Sequence, residues 1–493
     1  MVLTYSVMTS KGESKRPSYL INRVKQVFPK LVVEKEEMDT SYEKIMGSDK
    51  GKSYLISHLA DGTYAKDVIW WEIASHYEKK TPGILKDLLG IREKRAGNNS
   101  LKKEAAKRLF GDVLYGSVTR FEQYVQCPFA FFAHYGLLLN ERQQYEISSL
   151  DHGNLFHQAM EHLSHELEQR NKNWQDLSEK EAVLLAAECV DAVAERYQGR
   201  KYFQSNRVSF MLKRLKNEVV HSVWAMWHQM QEGDFVQTYT EKGFRGNDKE
   251  WESMCIPFGE DAKICLNGVI DRVDLCSLPG EELIKIIDYK SSDSQDLLLA
   301  KVYYGLQMQL LTYLEAAKEM VEKEHKGKEA VPAAMLYYAI KEKNLDWKPE
   351  SEEEYEKRVL DSMKCKGYVN EEPEIIGHLD KSVVNGGELI PGQKSGVVPV
   401  AVDKKGFLKK NSGALSTKDF ETLIAHTKEK MKECGKAILD GKIEAIPYVY
   451  EDNDGCTYCP YGSVCGHESK KDGVREMKKM SDDEVWEALY GDD

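Results

Sequence analysis

GVIDRVDLCSLPGEELIKIIDYKSS, residues 268–292, decides how this chain is read. Ile264–Leu275 is rich in β-branched and apolar residues. Leu278-Pro279-Gly280 with Glu281-Glu282 interrupts the pattern, and Leu283–Tyr289 is a second apolar run. The pattern predicts two strands joined by a turn. Antiparallel pairing of the two brings Asp271 near Asp288. Asp288 and Lys290 are two apart and point to the same face of their strand. Two carboxylates and one ammonium then lie together in otherwise apolar strands, where a charge is costly unless something pairs with it. A divalent metal is one such partner. Oxygen ligands suit Mg²⁺, and the lysine is placed to stabilise a pentavalent phosphate or orient a water. Alone, an Asp and a Lys at this spacing more often describe a solvated edge pair; other parts of the chain carry the reading further.

The chain has 493 residues, 41% of them apolar, enough for two or three domains with sizeable cores. Its net charge of −12 disfavours indiscriminate coating of nucleic acid and leaves room for a local basic channel. Lys102-Lys103, Lys107-Arg108 and Lys213-Arg214 with Lys216 are candidates, each more often a solvated helix face. The longest apolar run, near Ala330–Ile340, contains Pro332, and the N-terminus turns polar at Thr9–Glu13 without a signal-peptide core. No membrane span is expected, and a cytoplasmic protein is. Gly47-Ser48-Asp49-Lys50-Gly51-Lys52-Ser53 is not a phosphate-binding loop, because three residues separate its glycines where that loop needs four. A flexible loop is expected there, and no ATP hydrolysis by this chain itself.

Along the chain, helices are expected at Ser18–Phe28, Ala65–Glu78 and Lys102–Phe110, and a strand at Leu3–Val7. Ser117 is the N-cap of a helix through Val125 that Cys127-Pro128 ends. Asp151–Arg170 is a helix on which His157, Glu161 and His165 share a face. They lack the His-Glu-x-x-His order of a zinc helix, so a single His157 facing a site is the better reading. Glu179–Tyr197 and Arg207–Gln231 read as helices, Phe235–Tyr239 and Met254–Phe258 as strands. Leu297–Glu319 reads as a helix carrying Gln309 and Tyr313 on one face, and Val331–Ile340 as a further strand. Such an order of elements makes an α+β, nuclease-like core. Of ten cysteines, Cys189, Cys255, Cys265, Cys276, Cys365 and Cys434 are scattered and read as small buried apolar residues or bystanders. Cys456-x2-Cys459-x5-Cys465 is a cluster, which in a reducing compartment points to a metal or cluster site rather than to disulfides.

With these residues in hand, Tyr115–Glu468 resembles the C-terminal part of the B subunit of AddAB-type helicase–nucleases, in the RecB-like branch of the PD-(D/E)XK nucleases. The motifs are SVTRFEQYVQCPFAFFAHYGL, HGNLFHQAMEHL, GVIDRVDL, IIDYKSS, QLLTY, GKIEAIPY and the cysteine cluster. The resemblance implies a restriction-endonuclease-like core with helical insertions. It assigns catalysis to His157, Asp271, Asp288 and Lys290. Asp271 and Asp288 would ligate Mg²⁺ with the backbone carbonyl of Tyr289, and His157 would be a further ligand or phosphate contact. Lys290 would position the attacking water, and Gln309 and Tyr313 would support the site. It also assigns Cys127, Cys456, Cys459 and Cys465 to a structural [4Fe–4S] cluster joining the two ends of the nuclease domain. Cys127 has the same Cys-Pro context as Cys459-Pro460. The competing ligand set is zinc on Cys456, Cys459, Cys465 and His467.

The implied organisation is a remnant of a helicase-like region at 1–110 and an iron–sulfur nuclease domain at 111–470. A charged insertion is expected at 341–386 and a polar tail at 471–493. The chain is read as a domain or fragment of a longer subunit or as a shorter standalone relative. The implied function is a Mg²⁺-dependent DNA nuclease on single-stranded ends, cutting the strand that ends 5′. It would act with a helicase–nuclease A subunit as heterodimer partner in double-strand-break resection. The alternatives are a standalone iron–sulfur exonuclease of CRISPR-adaptation type and a catalytically silent DNA-binding scaffold. The first is a much shorter protein; the second predicts a damaged metal site, whereas Asp271, Asp288 and Lys290 are all present.

Overall fold

The computed structural model describes residues 18–32, 48–61, 67–93, 100–140, 149–198, 206–245, 251–259, 262–290, 296–340, 348–349, 351–467 and 472–491. The chain forms two compact units, Met1–Arg95 and Ala96–Asp493. The expected strand at Leu3–Val7 lies outside the described residues.

In the first unit, helices run over Tyr19–Val27, Ser48–Asp61, Val68–Lys80 and Ile84–Glu93. Ser48–Asp61 corrects the expectation of a flexible loop over residues 47–53. Leu55 and Leu59, four apart, are buried with Trp70, Ala74 and Tyr77 of the next helix, and the Trp70 indole N–H donates to the Leu55 carbonyl at 2.9 Å. An apolar pair at helical spacing with a partner to cover it outweighs the glycine and serine content of the segment.

The second unit opens with helix α1 (Lys103–Phe110), strand β1 (Val113–Gly116) and helix α2 (Val118–Gln126). α1 belongs here, not with the residues before it: Lys103 pairs with Asp440 at 2.8 Å, and Ser100 bridges Lys442. The expected boundary at 110/111 is therefore corrected to 95/96. Three long helices follow, α3 (Ser149–Gln169), α4 (Glu179–Gln198) and α5 (Asn206–Gln231). Then come strands β2 (Val236–Phe244), β3 (Met254–Pro257), β4 (Lys263–Leu266), β5 (Gly268–Ser277) and β6 (Glu281–Lys290), helix α6 (Gln309–Glu324), and strands β7 (Glu329–Ala339), β8 (Lys366–Asn370) and β9 (Ala414–Leu415). Helices α7 (Thr417–Leu439) and α8 (Asp482–Tyr490) end the order.

The central sheet has six strands in the order β9-β8-β7-β6-β5-β2. β5 and β6 form the expected hairpin, paired Arg272 to Ile287 through Ser277 to Glu282. β6 and β7 are parallel, with α6 as the crossover between them. Leu310, Leu314 and Phe420 of α6 and α7 cover one face of the sheet; Phe156, Leu163, Val190 and Val219 of α3, α4 and α5 cover the other. Because both faces are covered, β5 and β6 read as near-continuous apolar runs rather than alternating ones.

Four further expectations are corrected. Residues 341–386 are not simply an insertion, since Lys366–Asn370 is β8, antiparallel to β7. The expected helix Leu297–Glu319 is two pieces, Leu299–Tyr303 and α6, parted where Gly305 adopts φ +77°, a conformation that favours glycine. Cys255 and Cys265 are not bystanders: they face each other across β3 and β4 and form a disulfide. Nor is 471–493 a free tail. Arg475–Glu476 pairs with Tyr448–Val449, and Val485 of α8 is buried in the core.

Candidate active site

Extending the β5–β6 register by one step past Arg272–Ile287 sets Asp271 opposite Asp288. Both carboxylates are buried. The Tyr289 backbone N–H donates to Asp271 Oδ2 at 2.7 Å. Lys290 Nζ lies 2.6 Å from Asp288 Oδ2, an oxygen that receives no hydrogen bond of proper geometry. The Gln309 side chain, at the start of α6, closes the arrangement. Its Oε1 accepts from Lys290 Nζ at 3.0 Å, and its Nε2 donates to Asp288 Oδ1 at 2.9 Å and to the Tyr313 hydroxyl at 3.1 Å. Gln309 and Tyr313 reach the same place because they are four apart on one helix. His157 comes from the far face of the sheet. Leu155, Phe156, Ala159, Met160 and Leu163 bury α3 against the strands, which sets the imidazole at the sheet's end. Its Nδ1 is 2.8 Å from Glu241 Oε1 and 3.6 Å from Asp271 Oδ1. His157, Asp271, Asp288, Lys290, Gln309 and Tyr313 thus meet in one place, while Glu161 and His165 pair with each other at 3.9 Å on an exposed part of α3.

The charges of β5 are not equivalent. Burial raises Asp274, but Arg272 and Lys285 outweigh it and hold its carboxyl below the usual range. Arg272 donates to it at 2.7 and 3.0 Å, and Lys285 lies 2.8 Å away. Asp271 has no such pair of cations. Burial and the neighbouring Asp288 push it well above its ordinary value, and burial raises Asp288 as well, against the pull of Lys290. For His157, burial acts downward; the Glu241 hydrogen bond and the charges of Asp271, Glu241 and Asp288 prevail and raise it to about 8. A cluster of buried carboxylates short of positive charge has the donor chemistry of a divalent-cation site. Among the described residues, the ligand atoms of His157, Glu241 and Asp271 are the one such trio within 4.8 Å of one another.

Two residues here were not foreseen. Glu241 lies on β2 with φ +46°, beyond the register shift between Gln237 and Tyr239, so strand alternation does not predict its direction. Glu122 is on α2, buried, and its Oε1 accepts from the Met308 and Gln309 N–H groups at 2.6 and 3.2 Å. Burial, opposed by those N–H groups and by Lys290, raises it to about 7. A legible signal existed: Val118, Phe121, Glu122 and Val125 form one helical stripe, with a carboxylate among apolar residues.

The second centre lies where α2 ends. Cys127 and Cys459 pack with Ala130, Ala133 and Tyr461. Burial, Asp454 and the adjoining thiols of Cys127, Cys459 and Cys465 push Cys456 up to about 11. The fold thus gathers all four expected cysteines from both ends of the unit. No three of these thiols come within 4.8 Å of one another. Four-coordinate zinc spaces its thiolates about 3.8 Å apart, from a Zn–S bond of ~2.3 Å. His467, the fourth ligand of the zinc alternative, is buried, and neither ring nitrogen is hydrogen-bonded.

Comparison with known proteins agrees with this geometry. The chain is 33% identical to the B subunit of the ATP-dependent helicase/deoxyribonuclease of Lachnoclostridium phytofermentans, over all of this chain and 42% of that protein. It is 30% identical to the protein of the same name from Clostridium perfringens strain 13, over 99% of this chain and 43% of that one. It is 27% identical to that of Alkaliphilus oremlandii, over 99% and 42%. The chain therefore spans about two fifths of the length of the curated relatives it matches. Residues 116–466, which contain His157, Asp271, Asp288, Lys290, Gln309 and Tyr313 and the four cysteines of the second centre, match the PD-(D/E)XK nuclease superfamily, and the chain belongs to that superfamily.

Proposed function

We propose that this chain is a Mg²⁺-dependent deoxyribonuclease that hydrolyses phosphodiester bonds of single-stranded DNA ends, cutting the strand that ends 5′. It acts in a helicase–nuclease complex with an A subunit at double-strand breaks. Residues 1–95 belong to a helicase-like region in that assembly. The observation that carries the reading is the contrast within β5: Asp274 has its cations built in, whereas Asp271, with Asp288 beside it, does not.

Asp271 and Asp288 hold the metal, with His157 and the Tyr289 carbonyl completing the protein ligands. The Lys290 carbonyl accepts from Ile340 on the β7 side, so the carbonyl one residue before it faces β5 and Asp271. When bound, the cation neutralises charge on the scissile phosphate and acidifies water. Lys290 orients the attacking water and offsets the charge that grows on the phosphoryl oxygens. Gln309 holds Lys290 and Asp288 in register, and Tyr313 holds Gln309. Glu241 fixes the His157 ring. Cys127, Cys456, Cys459 and Cys465 would hold a structural [4Fe–4S] cluster, a reading supported by the fold's gathering of these four thiols from both ends of the unit.

The test is one anaerobic preparation, with iron, sulfide and zinc quantified and cutting of end-labelled single-stranded DNA assayed with Mg²⁺. About four irons per chain are expected for the cluster. Asp288→Ala should reduce cutting at least ~10³-fold, as loss of a principal charge-stabilising group does. Iron present with no cutting, with or without the helicase partner, would mean that the fold is a scaffold.

A further inference from the structure

α6 carries Gln309 and Tyr313, yet its own sequence does not cap it. The N-cap is Met308, which has no side-chain acceptor, and its first turn contains no acidic residue. The four orphan N–H groups of a helix start, and its partial positive charge, need a partner. That partner comes from another element. Glu122 Oε1 accepts from the N–H groups of both Met308 and Gln309. The carboxylate is buried on α2, on the same helical stripe as Phe121 and Val125. Gln309, whose backbone Glu122 holds, is the residue whose side chain bridges Lys290, Asp288 and Tyr313.

We propose that Glu122 is a positioning residue for the nuclease site: by capping α6 from α2, it sets the placement of Gln309 and, through it, of Lys290 and Asp288. It touches neither substrate nor metal. Its effect is geometric, and small displacements of positioning groups cost rate steeply. The same helix ends at Cys127, so α2 spans the thiol centre and the active-site helix. The proposal rests on the nuclease reading above.

Glu122→Gln in the full chain keeps the shape and removes the charge. The expected result is a fall in kcat on end-labelled single-stranded DNA of about tenfold to a hundredfold, with KM and iron content unchanged. Because Glu122 acts through Gln309, adding Glu122→Gln to Gln309→Ala should cost little beyond Gln309→Ala alone. Amide hydrogen exchange supplies a readout independent of cutting: the segment containing Met308 and Gln309 should lose protection while the rest of the sheet keeps it. Effects that multiply in the double variant, a change in KM alone, or unaltered exchange at the start of α6 would overturn the proposal. If the unsubstituted protein cuts no DNA with or without the helicase partner, the nuclease reading fails, and the exchange measurement still decides whether Glu122 holds the helix.

Discussion

His157 is the residue at which pH acts most directly on the site. It is charged in the free protein below about 8, and a metal ligand has to be neutral. Metal binding below that pH therefore releases a proton, and the apparent affinity should rise up to about tenfold per pH unit until pH ~8, then level off. The sign for folding is opposite. A histidine raised from 6.5 contributes stability that is complete below pH 6.5 and lost as pH rises through about 8. Calorimetric titration of Mg²⁺ between about pH 6 and 9 measures the first effect, and His157→Asn should flatten its upper part. An unchanged slope in that variant would remove His157 from the ligand set. At this scale the sequence was most legible where chemistry and strand geometry coincide. Hairpin pairing brings Asp271, Asp288 and Lys290 together, and the resemblance to the nuclease family assigns them their roles. Glu241 does not follow from strand pairing, because its left-handed backbone breaks the alternation that would have predicted its side.

Between elements, β8 shows how a real strand can be hidden. Lys364, Lys366 and the glutamates of 352–356 give residues 341–386 the look of a solvated insertion, yet Val369 is fully buried and Lys366 pairs with Tyr337. The strand is short, and its lysine finds Asp296 at 2.7 Å, so no apolar run marks it. Gly367 is what admits it. Its φ is +136°, and a Cβ there would strike the Met335 carbonyl oxygen of β7. Gly367→Ala should therefore destabilise the fold by about 1–3 kcal/mol, through strain and loss of pairing. Thermal unfolding reads the loss. A melting temperature equal to the parent's would show that β8 adjusts freely and is not held by β7. The broken helix before α6 has a similar lesson: its helical period runs through Gly305, and a single backbone conformation, not the side-chain pattern, ends it.

At the scale of the second unit, the question is what joins its two ends. Several links are made without any thiol. The Tyr124 hydroxyl donates to the Lys442 carbonyl at 3.0 Å, Tyr461 donates to the Leu139 carbonyl at 3.0 Å, and Arg475 bonds the Val125 and Gln126 carbonyls. The sequence disclosed the cysteine spacing but none of these bonds, which depend on how α2 and residues 442–475 approach one another. Treated as a crosslink closing a loop of some 330 residues, the proposed cluster adds at most roughly 5–6 kcal/mol. The other links retain part of that closure when the cluster is lost. Cys127→Ser should therefore abolish iron binding and lower the melting temperature, yet leave a folded protein whose loss stays below that bound. Iron analysis with denaturant unfolding checks both parts. Iron lost with no change in unfolding would mean that the cluster joins nothing the hydrogen bonds do not already join. Complete unfolding would mean that the hydrogen bonds form only after the cluster has brought the ends together.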